Sequence, residues 1–154
     1  TLQEFMILDK YLDQIEPDLI LWQFCINDLF NNSFTLEANS RHNNHMTRPY
    51  YESGGIVYRY PHSSWLYRNL LRHSYLVRFT GLRLDIFMAS FFPESKLKPT
   101  LQSPLYLEAF ATTSSLLGLV KDRASGRPVI AFSACGKQNS PFSREFARIS
   151  KQNG

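Results

Sequence analysis

The chain has 154 residues, 44% of them hydrophobic, which is enough for one domain with a sizeable core and excludes a disordered chain. Lys and Arg number 17 against 13 Asp and Glu, a formal charge of +4, yet the cations are scattered through Arg59, Arg68, Arg72, Arg78 and Arg83 without a dense run, which argues against nucleic-acid binding. Cys25 and Cys135 are the only cysteines, too few for a disulfide framework or a structural metal site, so each is expected to be a buried free thiol.

From Leu2 to Ile15, Phe5, Leu8, Leu12 and Ile15 recur at helical spacing with Asp9 and Asp13 between them, which predicts an amphipathic helix packed on a sheet. Pro17-Asp18 ends it. Leu19 to Cys25 is then a nearly continuous apolar run of strand length, the pattern of a central parallel strand with helices over both faces. At Ile26-Asn27-Asp28-Leu29-Phe30-Asn31-Asn32-Ser33 the composition shifts to turn formers, and a polar loop is expected. Ligands of open α/β sheets bind beyond the carboxyl ends of the strands, so this loop lies where chemistry usually occurs.

Residues from about 35 to 100 read as a long excursion or lid. Thr35 to about Ser64 has no sustained period, and one short strand is expected at Ile56-Val57-Tyr58-Arg59-Tyr60. Leu66, Leu70, Leu71, Tyr75 and Phe79 then recur at helical intervals; the apolar segment from Leu82 to Phe92 either continues that helix after Gly81 or forms its own. No apolar stretch is long enough to cross a bilayer, so no integral membrane segment is expected.

Pro104 opens a long helical pattern through Leu116, Leu117 and Val120, which Gly126 should stop. Arg127 to Ala134 reads as a second buried parallel strand. Pro141 starts a last helix, with Phe142, Phe146 and Ile149 on one face and Arg144, Glu145, Arg148 and Lys151 on the other. The opening at Thr1 and the cap-like ending at Gln152-Asn153-Gly154 suggest an excerpt from a longer protein, and two core strands alone make an incomplete α/β layer.

The segment Pro17-Asp18-Leu19-Ile20-Leu21-Trp22-Gln23-Phe24-Cys25-Ile26-Asn27-Asp28 resembles the third conserved block of the SGNH (GDSL-like) hydrolases, in which a buried strand leads into a Gly-x-Asn-Asp turn. Cys25 stands where that family has glycine; Asn27 and Asp28 are retained. Thr1-Leu2-Gln3-Glu4 is similar to the start of the helix after the family's second block, and the order of helix, strand, loop, helix and strand extends the resemblance over most of the chain. The resemblance implies a single domain over residues 1–154 with a three-layer α/β/α, flavodoxin-like parallel sheet, apparently incomplete. It also implies a serine-dependent hydrolase of small-molecule, carbohydrate or lipid esters that uses no cofactor, with Asn27 as an oxyanion-hole donor.

That role suits the residue, because attack on an ester carbonyl develops negative charge that an uncharged amide NH2 on a rigid strand end can bind. An Asx turn or a cap is the structural alternative for Asn27. Asp28 is expected to bind backbone N–H groups and hold the turn, since the triad acid in the family belongs to a late Asp-x-x-His block that this sequence lacks. Ser114, Ser115, Ser133 and Ser140 lie outside any Gly-Asp-Ser or Gly-x-Ser-x-Gly context. The nucleophile is therefore expected before Thr1 and the histidine base beyond Gly154, leaving the isolated chain inert.

Cys25 abuts Asn27, but a packed side chain is favoured there over a thiol nucleophile. His42, His45, His62 and His73 lack a convincing third ligand, so no metal is expected. Tyr50, Tyr51, Tyr58, Tyr60, Trp65 and Tyr67 fit either an acyl or carbohydrate cleft or simple packing. Gly54-Gly55, Gly118 and Gly126 match neither nucleotide-binding glycine pattern. Two other readings stay open: an SGNH-type O-acyltransferase, and a non-catalytic α/β module that binds carbohydrate or protein through residues 45–75.

Overall fold

In the computed structural model, which describes residues 1–38, 47–60, 65, 69–70, 73–91, 103–134 and 140–153, the chain begins with helix α1 (Leu2–Ile15). Glu16 ends α1 by taking a left-handed conformation at φ 48°, and its N–H still reaches the Leu12 carbonyl. Strand β1 (Ile20–Phe24) follows, then the short helices α2 (Ile26–Asn32) and α3 (Phe34–Ala38). Strands β2 (Arg48–Glu52) and β3 (Gly55–Arg59) form an antiparallel hairpin. Helices α4 (Tyr75–Phe91) and α5 (Pro104–Ala124), strand β4 (Val129–Ser133) and helix α6 (Pro141–Gln152) complete the order.

The result is a mixed α/β fold with helices packed around two small sheets. β1 and β4 pair in parallel, from Ile20 opposite Val129 to Phe24 opposite Ser133, as their apolar runs suggested. Side chains alternate across such a pair. Ile20, Trp22 and Phe24 are buried against Leu8 and Leu12 of α1, the apolar face of α5, and Phe142 and Phe146 of α6. The Phe24 and Phe146 rings stack with centroids 4.1 Å apart, at the centre of this core. Cover on both faces was expected of β1, but among the described residues its second face is open: Leu21 is 63% exposed, and Ile130 and Phe132 of β4 are exposed beside it. Ile15, expected on the packing face of α1, is also exposed.

Punctuation residues act as read from the sequence. Ser125 (φ 53°) and Gly126 (φ 86°) stop α5 in left-handed conformations. Pro141 starts α6 behind Ser140, whose hydroxyl accepts the Ser143 N–H. α4 runs unbroken through Gly81, joining segments that the sequence left separable.

The stretch read as aperiodic contains more structure than expected. Ser53 and Gly54, at φ 51° and 81°, form the two-residue turn between β2 and β3, a geometry that suits the twist of a hairpin. The buried carboxylate of Glu37 on α3 anchors that hairpin. It accepts from Arg48 Nη1 at 2.9 Å and from the Tyr50 hydroxyl at 2.8 Å. Arg48 also donates to Asn31 on α2 and Gln3 on α1, tying the hairpin to both. Burial, reinforced by the bond to Glu37, raises the Tyr50 phenol above its ordinary value.

Candidate functional site

The polar run after β1 was expected to be a loop, but it forms α2. Cys25 is extended (φ −115°, ψ 155°) and caps the helix, while Asp28, three residues on, accepts the Cys25 N–H at 2.7 Å and returns its own N–H to the Cys25 carbonyl at 2.9 Å. This reciprocal closure satisfies backbone groups that a helix start leaves open, so turn-forming residues are held helical. Leu29 and Asn32 fasten the other side of α2. Leu29 is buried, and Asn32 Nδ2 donates to the hydroxyls of Thr1 at 3.1 Å and Thr113 at 2.9 Å.

Asn27 lies on the first turn of α2, just beyond the carboxyl end of β1. Its side chain is exposed, and its carboxamide makes no hydrogen bond to the described residues. The capping work that the structural alternative assigned to Asn27 belongs to Asp28. The other Asp28 oxygen lies 3.4 Å from the Thr1 amine. Nearby, burial raises the Glu4 carboxyl above its ordinary value; the Thr1 amine opposes this and the Asp28 charge adds to it.

Cys25 is not the free thiol expected from the sequence: it is disulfide-bonded. It directly follows Phe24, where β1 runs beside β4, and the Ala134 N–H donates to the Phe24 carbonyl at 3.2 Å. The second cysteine of the sequence, Cys135, lies outside the described residues. A bonded sulfur is no nucleophile, which removes the thiol alternative.

Three of the four serines weighed as nucleophiles have local partners. Ser114 Oγ accepts from Asn153 Nδ2 at 3.0 Å, Ser115 Oγ donates to the Ala111 carbonyl at 3.1 Å, and Ser140 caps α6. Ser133 ends β4 half-buried. Of the histidines, His73 is exposed, while His42, His45 and His62 lie outside the described residues, as does Tyr67. Among the described residues no group of three or more His, Cys, Asp or Glu side chains could hold a metal ion, and no helix is long and apolar enough to cross a membrane. Tyr50 is buried on β2, whereas Tyr58 and Trp65 are exposed.

Two concavities flank the parallel sheet. One, of about 350 Å³, lies between α1 and β1 and is lined by Ile7, Tyr11, Ile15, Leu21 and Trp22. The other, of about 420 Å³, lies between α5, β4 and α6 and is lined by Leu117, Asp122, Val129 and Ser150. Neither includes Asn27. The Asn27 carboxamide is an uncharged donor on the first turn of α2, able to bind an oxygen brought to it. Comparison with protein-family models, with curated proteins and with solved structures gives no match for this chain.

Proposed function

We propose that this chain supplies the oxyanion-binding part of an SGNH-type serine hydrolase acting on ester bonds. The observation that carries the reading is the exposed, uncommitted carboxamide of Asn27, next to a parallel strand end whose corner is closed by Asp28 instead. Asn27 Nδ2 donates to the carbonyl oxygen as it gains charge in the tetrahedral intermediate, and the fixed corner spares the reorganisation that water would need. Because Ser114, Ser115, Ser133 and Ser140 lie outside any Gly-Asp-Ser or Gly-x-Ser-x-Gly context and the sequence holds no Asp-x-x-His block, the reading takes the attacking hydroxyl and its histidine from segments outside this sequence. The same reading makes the sheet part of a three-layer domain, with further strands on the open edges of β1 and β4 and further helices over Leu21, Ile130 and Phe132.

The test is ester turnover and labelling by a serine-directed phosphonate, on this chain alone and on a longer protein containing it. The chain alone is expected to do neither. In the longer protein Asn27→Ala should lower kcat on the order of 10²–10³-fold while labelling persists at a reduced rate. Full turnover by the Asn27→Ala protein would refute the reading.

A further inference from the structure

We propose that α4 is an interfacial helix that seats this chain on an anionic lipid surface. Ser74 opens the helix, its hydroxyl accepting the Val77 N–H at 3.3 Å and its carbonyl the Arg78 N–H at 3.1 Å. At about 3.6 residues per turn, Tyr75, Leu76, Phe79 and Leu84 fall on one half of the circumference, and each is more than half exposed. Val77, Arg78 and Gly81, outside that half, are partly buried. The apolar side of a surface helix ordinarily faces the core, so this inverted arrangement marks a contact surface.

Charge selects the occupant. Arg83 lies inside the apolar half with its guanidinium 5.2 Å from the centre of the Phe79 ring, and Arg78, at the margin, lies 4.1 Å from the centre of the Tyr75 ring. Neither arginine has an acid partner among the described residues. The one acid of the helix, Asp85, comes seven residues after Arg78 and so falls by helical spacing on the stripe of Arg78, outside the exposed half. A purely apolar cover would bury the Arg83 charge without a counter-charge, whereas a headgroup phosphate supplies one. Arginine stems lie along apolar surface while their charged ends reach the headgroups, and tyrosine rings favour the same boundary. Thr80, also on the exposed half, donates to the Leu76 carbonyl at 2.8 Å, so its hydroxyl carries no unpaired proton into that boundary. With two arginines along its 17 residues, α4 lies in the plane of the surface, its apolar side entering between headgroups and acyl chains.

The test is co-sedimentation of this chain with vesicles of phosphatidylcholine containing about one-third phosphatidylglycerol, and with vesicles of phosphatidylcholine alone. The chain should bind the mixed vesicles at least about tenfold more tightly, and salt should weaken that preference. Leu76→Ser with Phe79→Ser should lower affinity for both kinds of vesicle by about tenfold or more, while Arg83→Gln should lower it for the anionic vesicles alone. These side chains are exposed, so circular dichroism and urea unfolding should find both variants folded like the native chain. Leu21→Ser, at an exposed apolar residue of β1, should bind as the native chain does. Binding to neither vesicle overturns the proposal. So does native-like binding by the Leu76→Ser, Phe79→Ser chain, which would leave only a general attraction of the positive charge, or a loss in Leu21→Ser as large as in that chain. Self-association without vesicle binding, abolished by the same pair of substitutions, would make a second copy the occupant and equally overturn it. No arm measures ester turnover, so the hydrolase reading and the lipid reading stand or fall separately.

Discussion

The Cys25 backbone N–H and the Asp28 carboxylate lie 2.7 Å apart, so the acid beside Asn27 is engaged by the corner and not by a substrate. Asp28→Ala removes the acceptor and leaves that N–H half-buried without a partner. A loss of about 1 kcal/mol in urea-induced unfolding is expected, the usual worth of a helix-start contact. Asp28→Asn keeps an acceptor oxygen and should cost less. Equal stability of all three chains would show that the α2 corner is held by Leu29 and the disulfide alone.

Glu37 is a second test of how the excursion is fastened. Its carboxylate is buried and takes hydrogen bonds from both Arg48 and Tyr50. Glu37→Gln leaves the largely buried guanidinium of Arg48 without its counter-charge, which typically costs about 3–5 kcal/mol. Urea unfolding should register a loss of that order. Replacing the pair together, as Glu37→Leu with Arg48→Met, should be less damaging than Glu37→Gln, because no orphaned charge remains.

What the sequence revealed and what it hid follow from the range of each interaction. α5, β4 and α6 were legible because Pro104, Gly126 and Pro141 punctuate them and Phe142, Phe146 and Ile149 keep helical spacing. α2 was not, because Asn27, Asp28, Asn31 and Asn32 read as turn formers. The available signal was Asp28 three residues after an extended position, and cysteine is an uncommon residue there. β2 was missed although Ser53-Gly54 sits between two runs of strand formers, a hairpin signal. The state of Cys25 was out of reach, since nothing in the residues around it announces a bonded sulfur. The exposure of Asn27 depends likewise on Asp28 performing the capping, which neither residue type announces.

The stacked rings of Phe24 and Phe146 join β1 to α6, and both side chains are almost fully buried. Phe146→Ala is expected to cost about 3–5 kcal/mol, from lost transfer energy and the cavity left behind. Trp22 gives a sharper comparison on the same strand, because its buried Nε1 has no hydrogen-bond partner among the described residues. Trp22→Phe removes that unsatisfied donor along with part of the apolar surface, so its cost should be well below that of Trp22→Ala, itself about 3–5 kcal/mol. Near-equal costs for the two Trp22 variants would place a partner on the indole nitrogen.

Arg123 of α5 bridges two turns of α1, with Nε 2.6 Å from Asp9 and Nη2 2.6 Å from Asp13. The hydrogen bond from Arg123 holds the Asp13 carboxyl below its ordinary value of 3.8, with the guanidinium charge adding to the effect and partial desolvation opposing it. A carboxylate whose folded value is depressed favours folding when ionised. Its contribution is present above the unfolded value, near 3.9, and disappears as pH falls through the lower folded value. Carboxyl NMR titration should place the Asp13 midpoint below 3.8 in the native chain and return it upward in Arg123→Gln. The variant should also lose part of the acid limb of the stability profile while differing less from the native chain in high salt, because the pair faces solvent. An Asp13 midpoint unmoved by Arg123→Gln would mean that α1 and α5 are held by Leu8, Leu12 and their apolar neighbours without help from this clamp.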